Sequence, residues 1–213
     1  QDASTEAVRE TASEVLKYKG NIVTTYYYST SCGKTTTMKA WGTSENESNG
    51  YLQSVEVKDK NGDYEKLLPW YRWEADIDQD ILSALLAENV KKNIGTVQSL
   101  EVTKTGPGGV ALQIKAVGDK GSITVDTENK IRKALGGNGY EIKKQDGTVA
   151  QSGTLLPSAF FKVKKAGNIF KIIGGGYGHG IGMSQNGANE MAKTGKNYQE
   201  ILQMFYPGTT IEK

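Results

Sequence analysis

Residues 174–188 read GGGYGHGIGMSQNGA and contain the only histidine of the chain, His179, among seven glycines. Glycine has no Cβ, so its backbone can approach a ligand closely and can take positive φ. Tyr177 and His179 are two residues apart, and an extended chain would turn both side chains to the same side. Ser184 and Gln185 stand at the expected start of a helix, where free N–H groups point outward. Ring, imidazole, hydroxyl, amide and bare backbone donors on one short stretch suit a polar ligand with many hydroxyls, such as a glycan. The same pattern also suits close packing of two backbones, with His179 a satisfied buried histidine and Ser184 a helix cap.

A second candidate is YSTSCGKTT, residues 28–36. Its Gly33, Lys34 and Thr35 end like a phosphate-binding loop, but that loop needs glycine where Tyr28 stands, and TTMKAW is a poor helix start. GGGYGHGIG fits the dinucleotide pattern G-x-G-x-x-G in no register. His179 and Cys32 have no paired ligand spacing around them, so neither a metal nor a cofactor is expected. Glu45, Glu47 and Glu74 read as solvated carboxylates, and none is assigned as a catalytic acid.

The chain has 213 residues and a net charge of +2, which gives no basic face for nucleic acid. A single cysteine excludes an internal disulfide. No apolar run is long enough to span a membrane. The first residue is Gln1, which reads as the start of a fragment or processed product, with any signal or anchor upstream.

Around these stretches the pattern alternates between helix and strand. Residues 4–18 predict a helix, NIVTTYYYSTS and YLQSVEVKD strands, and LLPWYRWEADI a strand entered from a proline. DQDILSALLAENV predicts a helix capped by Asp78. Three strands follow in VQSLEVTKTGPGGVALQIKAVGDKGSITVD, then a helix closed by Gly136, a hairpin about Asp146–Gly147 and a strand pair in AFFKVKKAGNIFKIIGGG. Helices begin at Ser184 and Asn197, the latter with Glu200 at capping-box spacing. The reading is α+β, largely antiparallel sheets with short helices. Residues 1–66 and 166–213 would form a glycan-groove core, and 67–165 an inserted β-rich subdomain.

GYGHGIGMSQNGANEMAKTGKNYQEILQMFYPGTTI resembles the C-terminal signature of the stage II sporulation protein D (SpoIID/LytB) family. AVRETASEVLKYKGNIVTTYYYSTSCGKTTTMKAW resembles that family's segment ending in a Ser-x-Ser-Gly-Gly-type turn. YLQSVEV, SLEVTKTG and GSITVD…IRKALG fit in order, so the resemblance covers nearly the whole chain. It implies a bacterial, extracytoplasmic protein of the cell wall or the forespore-engulfing space. Family enzymes are lytic transglycosylases, which cut the MurNAc–GlcNAc bond of peptide-free glycan and leave a 1,6-anhydro sugar. One glutamate acts first as acid and then as base. In the family that glutamate lies upstream of where this chain starts, so the catalytic residue is expected before Gln1 and enzyme status is left open. Tyr28 stands where a histidine is common, and Cys32 where a glycine is common. The resemblance implies a substrate groove lined by Ser29, Ser31, Cys32, Gly33, Lys34, Thr35, Tyr177, His179, Gly180, Ser184 and Gln185. Trp41 and Tyr51 could stack on sugars or pack in the core. The expected partners are peptidoglycan glycan strands and another wall hydrolase such as an amidase. The alternative is a non-catalytic wall-binding or autolysin-modifying module.

Overall fold

The computed structural model describes residues 2–213. Strict alternation in WEADID builds the central strand, Trp73–Asp78, with Trp73, Ala75 and Ile77 buried and Glu74 and Asp76 exposed. That strand lies in the middle of a five-stranded antiparallel sheet. The order is Val149–Gln151, Glu141–Lys144, Trp73–Asp78, Ile169–Gly174, Phe161–Ala166. A second antiparallel sheet is the meander Val97–Thr105, Ala111–Gly118, Gly121–Asp126.

Five α-helices are present among the described residues: α1 Asp2–Glu10, α2 Gln79–Val90, α3 Glu128–Leu135, α4 Gln185–Lys193 and α5 Tyr198–Phe205. Helices α2 and α3 pack on each other and on the sheets, burying Leu82, Leu85, Leu86, Ile131 and Leu135. Asp78 caps α2 by accepting from the Asp80 N–H, Gly136 closes α3, and Asn197 with Glu200 forms the capping box of α5. The α+β expectation is borne out. No helix of the described residues is long and apolar enough to cross a membrane.

The predictions fail in the first 60 residues. The expected helix over 4–18 ends at Glu10. Ser13 turns the chain at φ 68°, and Val15–Tyr18 becomes a strand between Thr210–Glu212 and Asn21–Ile22. The long strands expected in NIVTTYYYSTS and YLQSVEVKD shrink to Asn21–Ile22, Tyr27–Tyr28 and Lys58–Asp59. Their backbone groups are taken up by loop contacts instead. The Thr35 hydroxyl, for instance, donates to the Gln53 carbonyl and accepts from the Val55 N–H. The five-stranded sheet joins the two parts drawn from sequence, since Ile169–Gly174 pairs with strands on both sides of it.

Candidate functional site

The serine-rich turn meets the glycine loop at both of its ends, while its middle, residues 33–35, bonds to residues 53–57. Tyr27–Tyr28 pairs in parallel with Met183–Ser184. Thr30 and Tyr177 exchange backbone hydrogen bonds of 3.1 and 2.8 Å, and the Thr36 N–H donates to Gly180 O at 2.7 Å. Asn186 donates from its backbone to Ser29 O at 3.0 Å and from Nδ2 to Thr30 Oγ1 at 2.9 Å. Such proximity explains two of the glycines. Gly180 and Gly182 lie at φ 82° and 76°, and a Cβ would collide with the Phe160 ring at the first and the Tyr26 carbonyl at the second.

A carboxylate sits at the centre of this junction. Glu65 is fully buried. Its Oε1 accepts from the Ser31 N–H at 3.0 Å and the Ser184 hydroxyl at 2.7 Å, and its Oε2 accepts from the Ser31 hydroxyl. Ser184 also caps α4, accepting from the Gly187 N–H at 3.2 Å, so the carboxylate lies beside a helix N-terminus. Ser31 in turn accepts from the Gly33 N–H at 3.1 Å, which fixes the Cys32–Lys34 bend. Burial lifts the Glu65 carboxyl above its ordinary value, and the serine donors offset only part of that. Sequence reasoning missed Glu65. In DYEKL it reads as one more solvated acid beside a lysine, and its partners lie 34 and 119 positions away.

His179 is half-buried, with both ring nitrogens bonded inside the chain. Nδ1 accepts from the Ile181 N–H at 3.1 Å, which leaves Nε2 to donate to Tyr27 O at 3.0 Å. The ring packs between Tyr28 and Trp41, at centroid distances of 5.5 and 5.0 Å. Desolvation holds its pKa below the ordinary 6.5, so the imidazole is neutral at pH 7. Tyr177 takes a different neighbour: it is exposed and leans on Trp70 at 4.8 Å. The segment is irregular rather than a strand, so the alternation expected for these two residues does not apply.

The other expected residues separate by exposure. Ser31, Thr35, Gly33, Gly180 and Ser184 are buried, Ser29 and Cys32 are intermediate, and Lys34 and Gln185 are exposed. Burial raises the Cys32 thiol, which keeps it protonated and a poor nucleophile. Tyr51 is a core residue, with its hydroxyl on Thr24 O at 2.7 Å.

Cys32, Gly33 and Lys34 line an open cleft of ≈ 500 Å³. Its other walls include Gly108, Gly109, Gly174 and Gly175, Phe160 and Phe161, and the charged residues Glu56, Lys58, Asp63, Arg72 and Lys162. Glu56 is bridged to Lys34 at 3.4 Å and to Lys58, and these hydrogen bonds pull its carboxyl below the ordinary range. Asp63 accepts from the Tyr71 hydroxyl. The Glu56 carboxylate, held below the ordinary range, lacks the raised affinity for a proton that a general acid needs. His179 lines a separate cleft of ≈ 380 Å³ with Trp41, Glu128 and Arg132. Among the described residues, no group of three or more His, Cys, Asp or Glu side chains could hold a metal ion.

A family model described as "Domain of unknown function (DUF8618)" matches residues 37–182. The chain belongs to this DUF8618 family. Similar proteins include the amidase enhancer of Bacillus subtilis (strain 168), 28% identical over 97% of this chain and 32% of that protein. Stage II sporulation protein D of the same strain is 29% identical over 98% of this chain and 51% of its own length. Stage II sporulation protein D of Bacillus amyloliquefaciens is 30% identical over 98% and 51%. The SpoIID/LytB resemblance read from sequence is thereby borne out, and this DUF8618 chain spans from about a third to about a half of the relatives it matches. The family match begins beyond the Ser31–Thr36 bend and stops short of Ser184, whereas the matches to these proteins cover nearly the whole chain.

Proposed function

We propose that this chain is an extracytoplasmic cell-wall module that binds the glycan strands of peptidoglycan, and that within a longer parent protein it holds those strands for lytic transglycosylase cleavage of the MurNAc–GlcNAc bond. The observation that carries the reading is the ≈ 500 Å³ cleft, where the serine-rich turn meets the bare backbone of Gly108, Gly109, Gly174 and Gly175. Main chain without side chains lets a sugar ring approach closely, and flanking donors can take its hydroxyl and acetamide oxygens. In this proposal Glu65, Ser31 and Ser184 keep the bend rigid, His179 secures the glycine loop through Tyr27 and Ile181, and the cleavage acid comes from another segment of the parent. The names of the relatives, sporulation protein D and amidase enhancer, support a wall-related role. The likeness to an amidase enhancer also favours a second reading, in which the module positions another wall hydrolase and cuts nothing itself.

The test is co-sedimentation with peptide-free glycan strands, followed by mass spectrometry of the soluble sugars. Residues 1–213 should sediment with the strands and release no anhydro-ended product. Lys162→Trp, which fills the cleft from an exposed strand position, should abolish sedimentation. Full retention of that variant would remove the cleft from the proposal. Anhydro products from residues 1–213 alone would place the acid within the chain.

A further inference from the structure

The glycine-floored cleft continues beyond Gly175. Arg72, Ile173 and Gly174 also line a second cleft of ≈ 390 Å³, bounded on its far side by Lys143 and Lys144. The two clefts share this wall. The sheet register carries the shared surface outward, with Lys162 beside Ile173, Ile173 beside Glu74 and Glu74 beside Lys143.

The charges along this path are unequal in a particular way. Its carboxylates are already engaged: Glu56 by Lys34 and Lys58, Asp63 by Tyr71, and Glu74 by Lys171 at 2.9 Å. Among the cations, Lys143, Lys162 and Arg72 make no ion pair among the described residues. Arg72 stands where the two clefts meet, and it is held in place. Its Nη1 donates to Cys32 O at 2.9 Å and Tyr71 O at 2.7 Å, and the guanidinium carbon lies 3.8 Å from the Tyr71 ring centre. Those two bonds occupy one of its three nitrogens. A guanidinium fixed in this manner is exposed, charged and pre-oriented, so it loses little side-chain freedom when it binds a planar anion.

We propose that Arg72 is the specificity residue of this groove, and that it recognises a carboxylate on the glycan, selecting acidic strands over neutral ones with the same backbone. The inference rests on the glycan-binding reading of the cleft and adds which glycans it takes. Hydroxyl and acetamide groups give no reason for a fixed cation at the junction of two clefts, whereas a strand carrying a carboxylate on alternate sugars does.

The experiment compares affinities for three probes: peptide-free strands with free carboxylates, the same strands methyl-esterified, and chitin oligosaccharides. The wild type should bind the acidic strands about tenfold or more tightly than the esterified ones. Arg72→Gln should lose most of that preference, the affinity for the acidic strands falling much further than that for the ester. Arg72→Lys keeps the charge and the volume but not the fork, and should retain part of the preference. Thermal melts show that each variant is folded. Equal wild-type binding of acidic and esterified strands would overturn the role of Arg72 and leave the glycan-binding reading intact. An equal loss on both probes in Arg72→Gln would also overturn it, by marking the residue as structural. Failure to bind any of the three probes would instead strike the glycan-binding reading itself.

Discussion

Glu65 and Glu128 are both fully buried, yet the regions around them hold a negative charge by different means. At the start of α3, Glu128 faces Arg132 one turn along, with Oε1 2.7 Å from Nη1, while Oε2 accepts from the Trp41 indole at 3.2 Å. Arg132 also donates Nε to Leu156 O at 2.8 Å. At the turn–loop junction, Glu65 has no lysine or arginine at ion-pairing distance among the described residues, only two serines and a backbone N–H. The first region neutralises its carboxylate with a counter-ion and serves as a structural brace. The second leaves a charge that burial disfavours, set beneath the bend that lines the cleft, and dipoles alone hold it. A buried acid without a counter-ion is costly to keep, so its retention there marks the junction as the part of the fold where geometry matters more than stability.

The comparison predicts its largest effect at the brace. Arg132→Ala strands an unpaired carboxylate in the core and should destabilise the protein by about 3–5 kcal/mol, read as a lower denaturant midpoint at unchanged slope. The double variant Glu128→Leu with Arg132→Met should recover much of that loss, because an apolar pair of similar volume needs no desolvation. If Arg132→Ala falls within ~1 kcal/mol of the wild type, the charge is not confined as the geometry implies.

A smaller loss, about 1–3 kcal/mol, is expected for Glu65→Gln. The amide places a donor against the Ser31 hydroxyl, which already donates in that direction and accepts from Gly33. The pH dependence tests the burial of Glu65 more sharply than the size of the loss. Burial holds the Glu65 carboxyl above the ordinary 4.5 in the folded state, so its contribution is fully present below that value and is lost as pH rises through the folded pKa. The stability difference between wild type and Glu65→Gln should therefore move in favour of the wild type as the pH falls from neutral toward 4.5. A difference that is flat with pH would mean that Glu65 titrates normally.

This contrast also measures what was legible in the sequence. The sheets and helices from Trp73 to Gly174 follow from local signals: alternation in WEADID, the Asp78 cap, the Asp146–Gly147 turn. Each of these is settled within a few residues. The turn–loop junction is assembled from Tyr28, Ser31, Glu65 and Ser184, which are far apart in the chain and bind through side chains and loop backbone, with no period to read. Motif reasoning found the two glycine-containing stretches because their composition is unusual. It missed Glu65, whose neighbours look like any surface loop, and it expected strands where Thr35 and Ser31 take up the backbone groups. It also expected Tyr177 and His179 to act on one side, because a strand period was applied to a segment that forms no strand.

The smallest expected effect uses His179, which touches both regions: its ring packs on Tyr28 at the junction and on Trp41 at the brace. As the only histidine, it gives a single set of imidazole resonances. With Nδ1 accepting and Nε2 donating, nitrogen shifts should report the Nε2–H tautomer, and the ring should titrate below 6.5. Because the folded value is depressed, the stability this group contributes is present above the unfolded value and is lost as pH falls through the folded one. Glu128 raises the His179 pKa and Arg132 lowers it, whereas Glu65 is bonded to Ser31 and Ser184 and the ring to Tyr27 and Ile181. Glu128→Gln should therefore depress the titration further, while Glu65→Gln should leave it in place. An Nδ1–H tautomer would break the assignment of the ring's bonds. A response to Glu65→Gln as large as that to Glu128→Gln would show that the two buried acids share one electrostatic environment, contrary to the separation the hydrogen bonds describe.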